Sequence, residues 1–322
     1  MCEIIIRRSF GLCKAYTAIL DAALGKVITR AHSLIFGYFS LVVLSGCVLV
    51  PEKNSTIWSG LSKAVPIGVV EGRELSINLA FPSQLSATPR PVVLLIHGGG
   101  FVSGSKDDKN RQILKLSELG FVAASVSYAL APDYRFPTAL EDIKLAIRFV
   151  KANARAFHID SDRILVSGSS AGGYLAVMAG VTGNDDNFSD YGLYAEFDST
   201  VRAVAAQSAP IGDFRLEKYG NRPSIERLLG SDPPNIKESI PEVSPFSYLD
   251  SEDPAFFLSH GDSDIVVPVE MSREFVEALK NLGHSYEYHE VEGGGHSLNR
   301  TAPDEARRVF EAYLNFLHAF AQ

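Results

Sequence analysis

Gly168-Ser169-Ser170-Ala171-Gly172 has the spacing G-x-S-x-G, between an apolar run (Arg163–Ser167) and a helix-like stretch (Ala171–Gly180). A serine on a sharp strand-to-helix turn holds its hydroxyl above the sheet, at the end of a helix whose dipole favours developing negative charge. Glycine at both flanks removes side chains that would meet the neighbouring strand or helix. Ser169 does not fit, because the residue two before it is Ser167. Such a serine does nucleophilic chemistry. It then needs a base, an acid to orient the base, and donors for an oxyanion.

The donors are sought in His97-Gly98-Gly99-Gly100, directly after the apolar run Val92–Ile96. Three glycines let the backbone approach a substrate oxygen. Gly99 and Gly100, with Gly98 close behind, are expected to donate together with the amide of Ala171. His97 is expected to pin this loop. Of eight histidines, His296 is the expected base, because it follows Glu292-Gly293-Gly294-Gly295 on a loop just past the last strand. The acid is sought between serine and histidine in the chain. Asp262 and Asp264 compete in His260-Gly261-Asp262-Ser263-Asp264, behind the run Ala255–Ser259. One would hold the imidazole and the other would cap the turn or the next helix; Asp264 is preferred.

These residues need elements to carry them. Val65–Val70 and Glu74–Ala80 alternate about Glu71-Gly72-Arg73, which predicts a hairpin at a sheet edge. Val92–Ile96, Phe121–Val126, Arg163–Ser167, Val201–Gln207, Ala255–Ser259 and Tyr286–Glu290 read as strands. Gln112–Leu119, Pro137–Ala152, Ala171–Gly180, Val269–Asn281 and Pro303–Phe320 read as helices. The alternation predicts an α/β fold, and the wholly apolar strands predict a mostly parallel sheet covered on both faces. Residues 208–250 break the rhythm and predict a small cap or excursion, with a short helix at Ile225–Leu229.

The chain has 322 residues, 46% of them hydrophobic, and a formal charge of −8. Five basic and two acidic residues fall in the first 46, leaving 25 positive and 36 negative charges beyond them. That balance argues against nucleic acid or anionic lipid as partners, and no basic patch stands out along the sequence. The three cysteines, Cys2, Cys13 and Cys47, leave the body without a disulfide, a cysteine-based metal site or a thiol nucleophile.

Leu34–Leu44 is an apolar run too short to span a bilayer and of the right length for a signal peptide. Leu44-Ser45-Gly46-Cys47 follows, similar to a bacterial lipobox in which Cys47 takes the lipid. The expectation is export, with the body lipid-anchored through Cys47 to a bacterial membrane and facing the periplasm or exterior. An uncleaved anchor and a buried helix are the alternatives. The expected division is a signal segment over 1–47, a linker over 48–64 and a catalytic domain over 65–322.

With HGGGF (97–101), SYALAPDYRFPTALED (127–142), GSSAGG (168–173), VSPFSYL (243–249), HGDSDIVVP (260–268) and GGGHSL (293–298) in order, the chain resembles the α/β-hydrolase superfamily. More narrowly it is similar to hormone-sensitive-lipase-like carboxylesterases and the BD-FAE feruloyl/acetyl-xylan esterases. The resemblance implies a serine carboxylesterase with no cofactor or metal, acting on small-molecule esters. It also supports Asp264, four residues after the His of HG-x-x-D, as the acid. Ser169 stands where the lipase-like branch has aspartate, and only about 45 residues separate Cys47 from the first central strand, which implies a minimal cap. Short-acyl or acetyl esters are the expected substrates, with Phe101, Val102 and Tyr174 narrowing the site. The same residues would also serve an amidase, arylformamidase or peptidase, or survive in a non-catalytic binding protein or a structural lipoprotein.

Overall fold

Two antiparallel strands, β1 (Gly60–Val70) and β2 (Arg73–Phe81), turn about Glu71 and Gly72, both at positive φ. They open the part of the chain that the computed structural model describes, residues 60–321 apart from 85, 189–192, 221–222 and 230–235. β1 begins inside the stretch expected as linker, so that linker extends no further than residue 59. The expected signal segment and Cys47 lie outside the described residues.

The order continues with β3 (Arg90–Ile96), a 3-10 turn at Lys106–Lys109, α1 (Asn110–Glu118), β4 (Val122–Val126), α2 (Thr138–Ala152) and α3 (Ala154–Phe157). Next come β5 (Ile159–Ser169), α4 (Ala171–Val181), β6 (Ala203–Gln207) and three short helices, α5 (Glu217–Gly220), α6 (Pro223–Leu229) and α7 (Ile236–Val243). The chain finishes with β7 (Ala255–Gly261), α8 (Glu270–Leu282), β8 (Tyr286–Val291), α9 (Leu298–Thr301) and α10 (Pro303–Phe320). Eight strands form one sheet in the order β1-β2-β4-β3-β5-β6-β7-β8. β1, β2 and β4 pair antiparallel, and every pairing from β4 to β8 is parallel. This is the α/β-hydrolase architecture expected from the sequence.

The strands are apolar throughout because successive side chains serve two layers. Val92, Leu94 and Ile96 of β3 join the core under α2, α4 and α8, while Val93 and Leu95 join the core under α1 and α10. β6 divides in the same way, with Val204 and Ala206 on one side and Ala203 and Ala205 on the other. The α1/α10 face is therefore floored in part by alanine. Every residue of α4 is buried, so the helix behind the serine turn is walled in on all sides.

The 208–250 segment is seated on the core. Phe214, Tyr219, Ile225, Leu228 and Val243 are buried in the main cluster, and the buried Tyr174 hydroxyl donates to the Val243 carbonyl at 2.8 Å. Among the described residues three helices stand here where one is expected. α3 and α9 were not predicted; at four residues each they are too short to show a period.

Candidate active site

Ser170 sits where β5 hands over to α4, with φ 55° and ψ −126°, a left-handed backbone that a serine adopts only under strain. Its amide donates to Gln207 O at 2.9 Å, which ties the turn to the end of β6. The flanking glycines are required by close approach. A Cβ on Gly168 would lie 2.2 Å from Gly172 O, and one on Gly172 would lie 2.4 Å from the carbonyls of Ile96 and His97.

The structure brings the loops after β7 and β8 to this turn. His296 Nε2 lies 3.0 Å from Ser170 Oγ, and His296 Nδ1 lies 2.7 Å from Asp264 Oδ2. Asp264 Oδ1 accepts the amides of Val266 and Val267 at 2.8 and 2.9 Å. Burial alone would push the Asp264 carboxyl up. The bonds from His260, His296 and the two amides outweigh it and hold the group well below the usual carboxylate range. Asp264 thus stays charged, its Nδ1–H bond fixes the imidazole tautomer, and Nε2 is free to accept a proton from the hydroxyl. Asp262 does other work: its Oδ1 accepts the Gly293 amide at 2.8 Å and pins the glycine loop before His296.

His260 is a contributor that sequence reasoning placed only as the start of a turn. It is fully buried, with Nδ1 2.7 Å from Ser272 Oγ and Nε2 3.0 Å from Val267 O and 3.2 Å from Asp264 Oδ2. Asp264 Oδ2 is therefore held between two imidazoles. The i,i+4 spacing of His260 and Asp264 was the available signal.

The glycine loop lies against the serine. A Cβ on Gly98 would sit 3.5 Å from Ser170 Cβ. Gly99 has φ 120°, and a Cβ there would strike Ser103 O at 2.0 Å. The Gly99 carbonyl accepts Val102 N, Ser103 N and Ser103 Oγ, so its acceptor side is used within the loop. His97 is buried beneath, stacked on Tyr128 at 4.2 Å, with Nδ1 bonding Gly98 O at 2.8 Å. Burial holds its imidazole below the ordinary value in spite of that bond. The Tyr128 hydroxyl donates to His97 O at 3.0 Å, so the 127–137 stretch braces the loop from below.

Two cavities meet at Ser170. The smaller, about 90 Å³, is lined by Gly100, Phe101, Ala171, Pro210, Val267 and Met271, with Arg227 at its side. The larger, about 860 Å³, contains His296 and Gly98–Gly100 and runs between α1 and α10 over Leu95, Ala205 and Phe257. Phe101 lines the small recess. Tyr174 is buried behind it, edge-on to Phe101 at 5.4 Å, and Val102 points outward at 43% exposure. The wall of the large cleft includes Lys109, Arg111 and Lys115, which sequence reasoning did not single out. The fold thus assembles a local basic surface that the order of charges along the chain did not reveal.

The BD-FAE family model matches residues 77–279, more than half of the sequence. The chain belongs to the BD-FAE family. This BD-FAE chain is 31% identical over 255 residues to Esterase LipC of Mycobacterium tuberculosis, a match covering 73% of the chain and 60% of LipC. It is also 31% identical over 258 residues to Esterase LipQ of the same organism, covering 76% of the chain and 59% of LipQ. The chain thus spans about 60% of the length of these curated relatives. Among solved structures, a truncated carbohydrate esterase from gut microbiota superposes with TM-score 0.71 at 24% identity, over 83% of this chain and 98% of that one, and shares the fold.

Proposed function

We propose that this chain is a serine carboxylic-ester hydrolase in which Ser170 is the nucleophile, His296 the base and Asp264 the orienting acid. The observation that carries this is the unbroken series from Asp264 Oδ2 to His296 Nδ1 at 2.7 Å and from His296 Nε2 to Ser170 Oγ at 3.0 Å. The esterase relatives support the ester-hydrolase part of this reading.

In the first step His296 takes the Ser170 proton and the oxygen adds to the ester carbonyl. The resulting oxyanion is met by amides of Gly99, Gly100 and Ala171, each such donor being worth about 2.7–4 kcal/mol. The imidazolium passes its proton to the leaving alcohol, and water then cleaves the acyl-enzyme by the same route. The alcohol oxygen must therefore depart on the His296 side. His296 borders the large cleft, whereas Ala171 borders the small recess, whose walls are mostly apolar with Arg227 at the side. The recess accordingly takes the acyl group, and its size suits acetyl or other short chains. Cys47, in its lipobox-like context, is proposed to carry a lipid that tethers the exported enzyme to a bacterial membrane.

Ser170→Ala is expected to lower turnover of 4-nitrophenyl acetate by about 10⁴-fold or more. Residual activity within tenfold of wild type would reject the assignment. The same pair of proteins, run on a panel of esters, amides and an arylformamide, tests the ester preference.

A further inference from the structure

Beyond Ser170, His296 and the glycine loop, the large cleft extends further than acyl transfer requires, and its chemistry there is two-sided. Its floor is mostly apolar, with Leu95, Ala205 and Phe257 from the sheet and Ser167 in register between the first two. Val309, Phe310 and Tyr313 of α10 form one wall. The opposite wall is α1 and the end of the 3-10 turn before it, which present Lys109, Arg111 and Lys115. No carboxylate lines the cleft among the described residues. None of the three cations is in a salt bridge among the described residues, in contrast to Arg73 with Asp142 and Arg273 with Glu290. Asp108, the acid beside Lys109, turns its carboxylate to the Ser105 amide at 2.8 Å. The Lys115 ammonium lies 5.6 Å from the Phe310 ring centroid, so it reaches across to the other wall. Six helical residues from Lys109 to Lys115 span about 9 Å, so the cations form a line rather than a point. A groove of one sign with apolar walls concentrates its field, and here it does so on a chain of net charge −8.

We propose that this cleft binds the alcohol half of the ester, and that this half carries an anion, a carboxylate, sulfate or phosphate, met by Lys109, Arg111 and Lys115. The proposal rests on the ester hydrolysis assigned above and adds the class of substrate. The ring or chain between the scissile oxygen and the anion lies on Leu95, Ala205 and Phe257. After attack, His296 protonates the departing alkoxide, the C–O bond breaks, and an anionic alcohol leaves through the cleft while the short acyl group stays on Ser170. Unpaired cations on a binding wall act mainly by steering and by discriminating between charges, so they select among esters that the serine would cleave alike.

The test uses two acetyl esters that differ in one charge, 4-acetoxybenzoate and its neutral methyl ester. The quantity read is the ratio of their kcat/KM values, anionic over neutral, in wild type and in the Arg111→Gln/Lys115→Gln double variant. Comparing the same ratio between proteins cancels the intrinsic reactivity of the two leaving groups. The expected result is a fall of about tenfold in the double variant, at two- to fivefold per exposed cation. Raising salt to about 0.5 M should lower the ratio in wild type and have little effect in the variant. A variant whose two rates fall together, leaving the ratio where it was, shows a structural role only and overturns the inference. So does a wild-type ratio insensitive to salt. Turnover of the neutral ester in either case leaves the hydrolase assignment standing. Absence of turnover of both esters by wild type overturns that assignment, and the inference with it.

Discussion

Two aspartates two residues apart meet different partners, and the difference can be measured. Asp264 accepts from two imidazoles and two amides, whereas Asp262 accepts from the Gly293 amide and the Ser263 hydroxyl. Asp264→Asn replaces the acceptor facing His296 Nδ1–H with an amide that does not stabilise the imidazolium. Its kcat is expected to fall by about 10³–10⁴. Asp262→Asn keeps an oxygen for the glycine-loop amide, and its kcat should stay within about tenfold of wild type. Equal losses in the two variants, at equal folded fractions, would remove the distinction. His260 adds a second constraint, since its bonds to Ser272 and Val267 fix the ring that shares Asp264 Oδ2. The carboxylate is thereby held from three directions before any substrate arrives.

At the scale of elements, the acyl recess is closed by α8, through Met271, and by the loop that carries Phe101. Met271 is 1% exposed and packs in the main core. Met271→Ala is expected to move the optimum of a 4-nitrophenyl ester chain-length series from acetate toward butyrate or longer. It should also cost about 2–5 kcal/mol of stability, as large-to-small core changes do. An unchanged optimum in a folded variant would place the acyl group elsewhere. The elements differed in how far they could be read from sequence. β3, β7 and the Ile164–Val166 centre of β5 were legible because a strand buried on both faces is an apolar run, and G-x-S-x-G placed Ser170 at the turn after β5. α5–α7 were only partly legible, since their length is set by contacts such as Tyr174 with Val243 rather than by periodicity. The cationic wall was not legible. Lys109 and Arg111 precede the stretch expected as a helix, Lys115 lies within it, and only the folded sheet places α10 opposite them.

Across the whole molecule, charge is uneven in ways that pH can expose. Burial, against the bond from the Asp250 amide, pushes the Asp253 carboxyl up to about 6, at the entry to β7. Between about pH 4 and pH 6 the folded protein keeps a proton that the unfolded chain releases, so this group lowers stability as pH rises through that window. Asp253→Asn removes that dependence. It should be more stable than wild type at pH 7 by about 1 kcal/mol, a figure discounted because the group is only partly buried, with the advantage gone near pH 4. Thermal melts at several pH values read this directly, and a constant offset at all pH values would contradict it.

Ala205, beside Ser167, occupies a place where the sheet could have grown a bulkier side chain into the gap between its two outer helices. A methyl group there sets how deep a guest molecule can lie, yet it makes no bond on which the proton relay depends. Leucine at this position would shut out bulky alcohols while acetyl transfer to small ones continued. Descendants of such an enzyme could therefore change diet by altering the upholstery of one strand, with the reacting atoms left where they are.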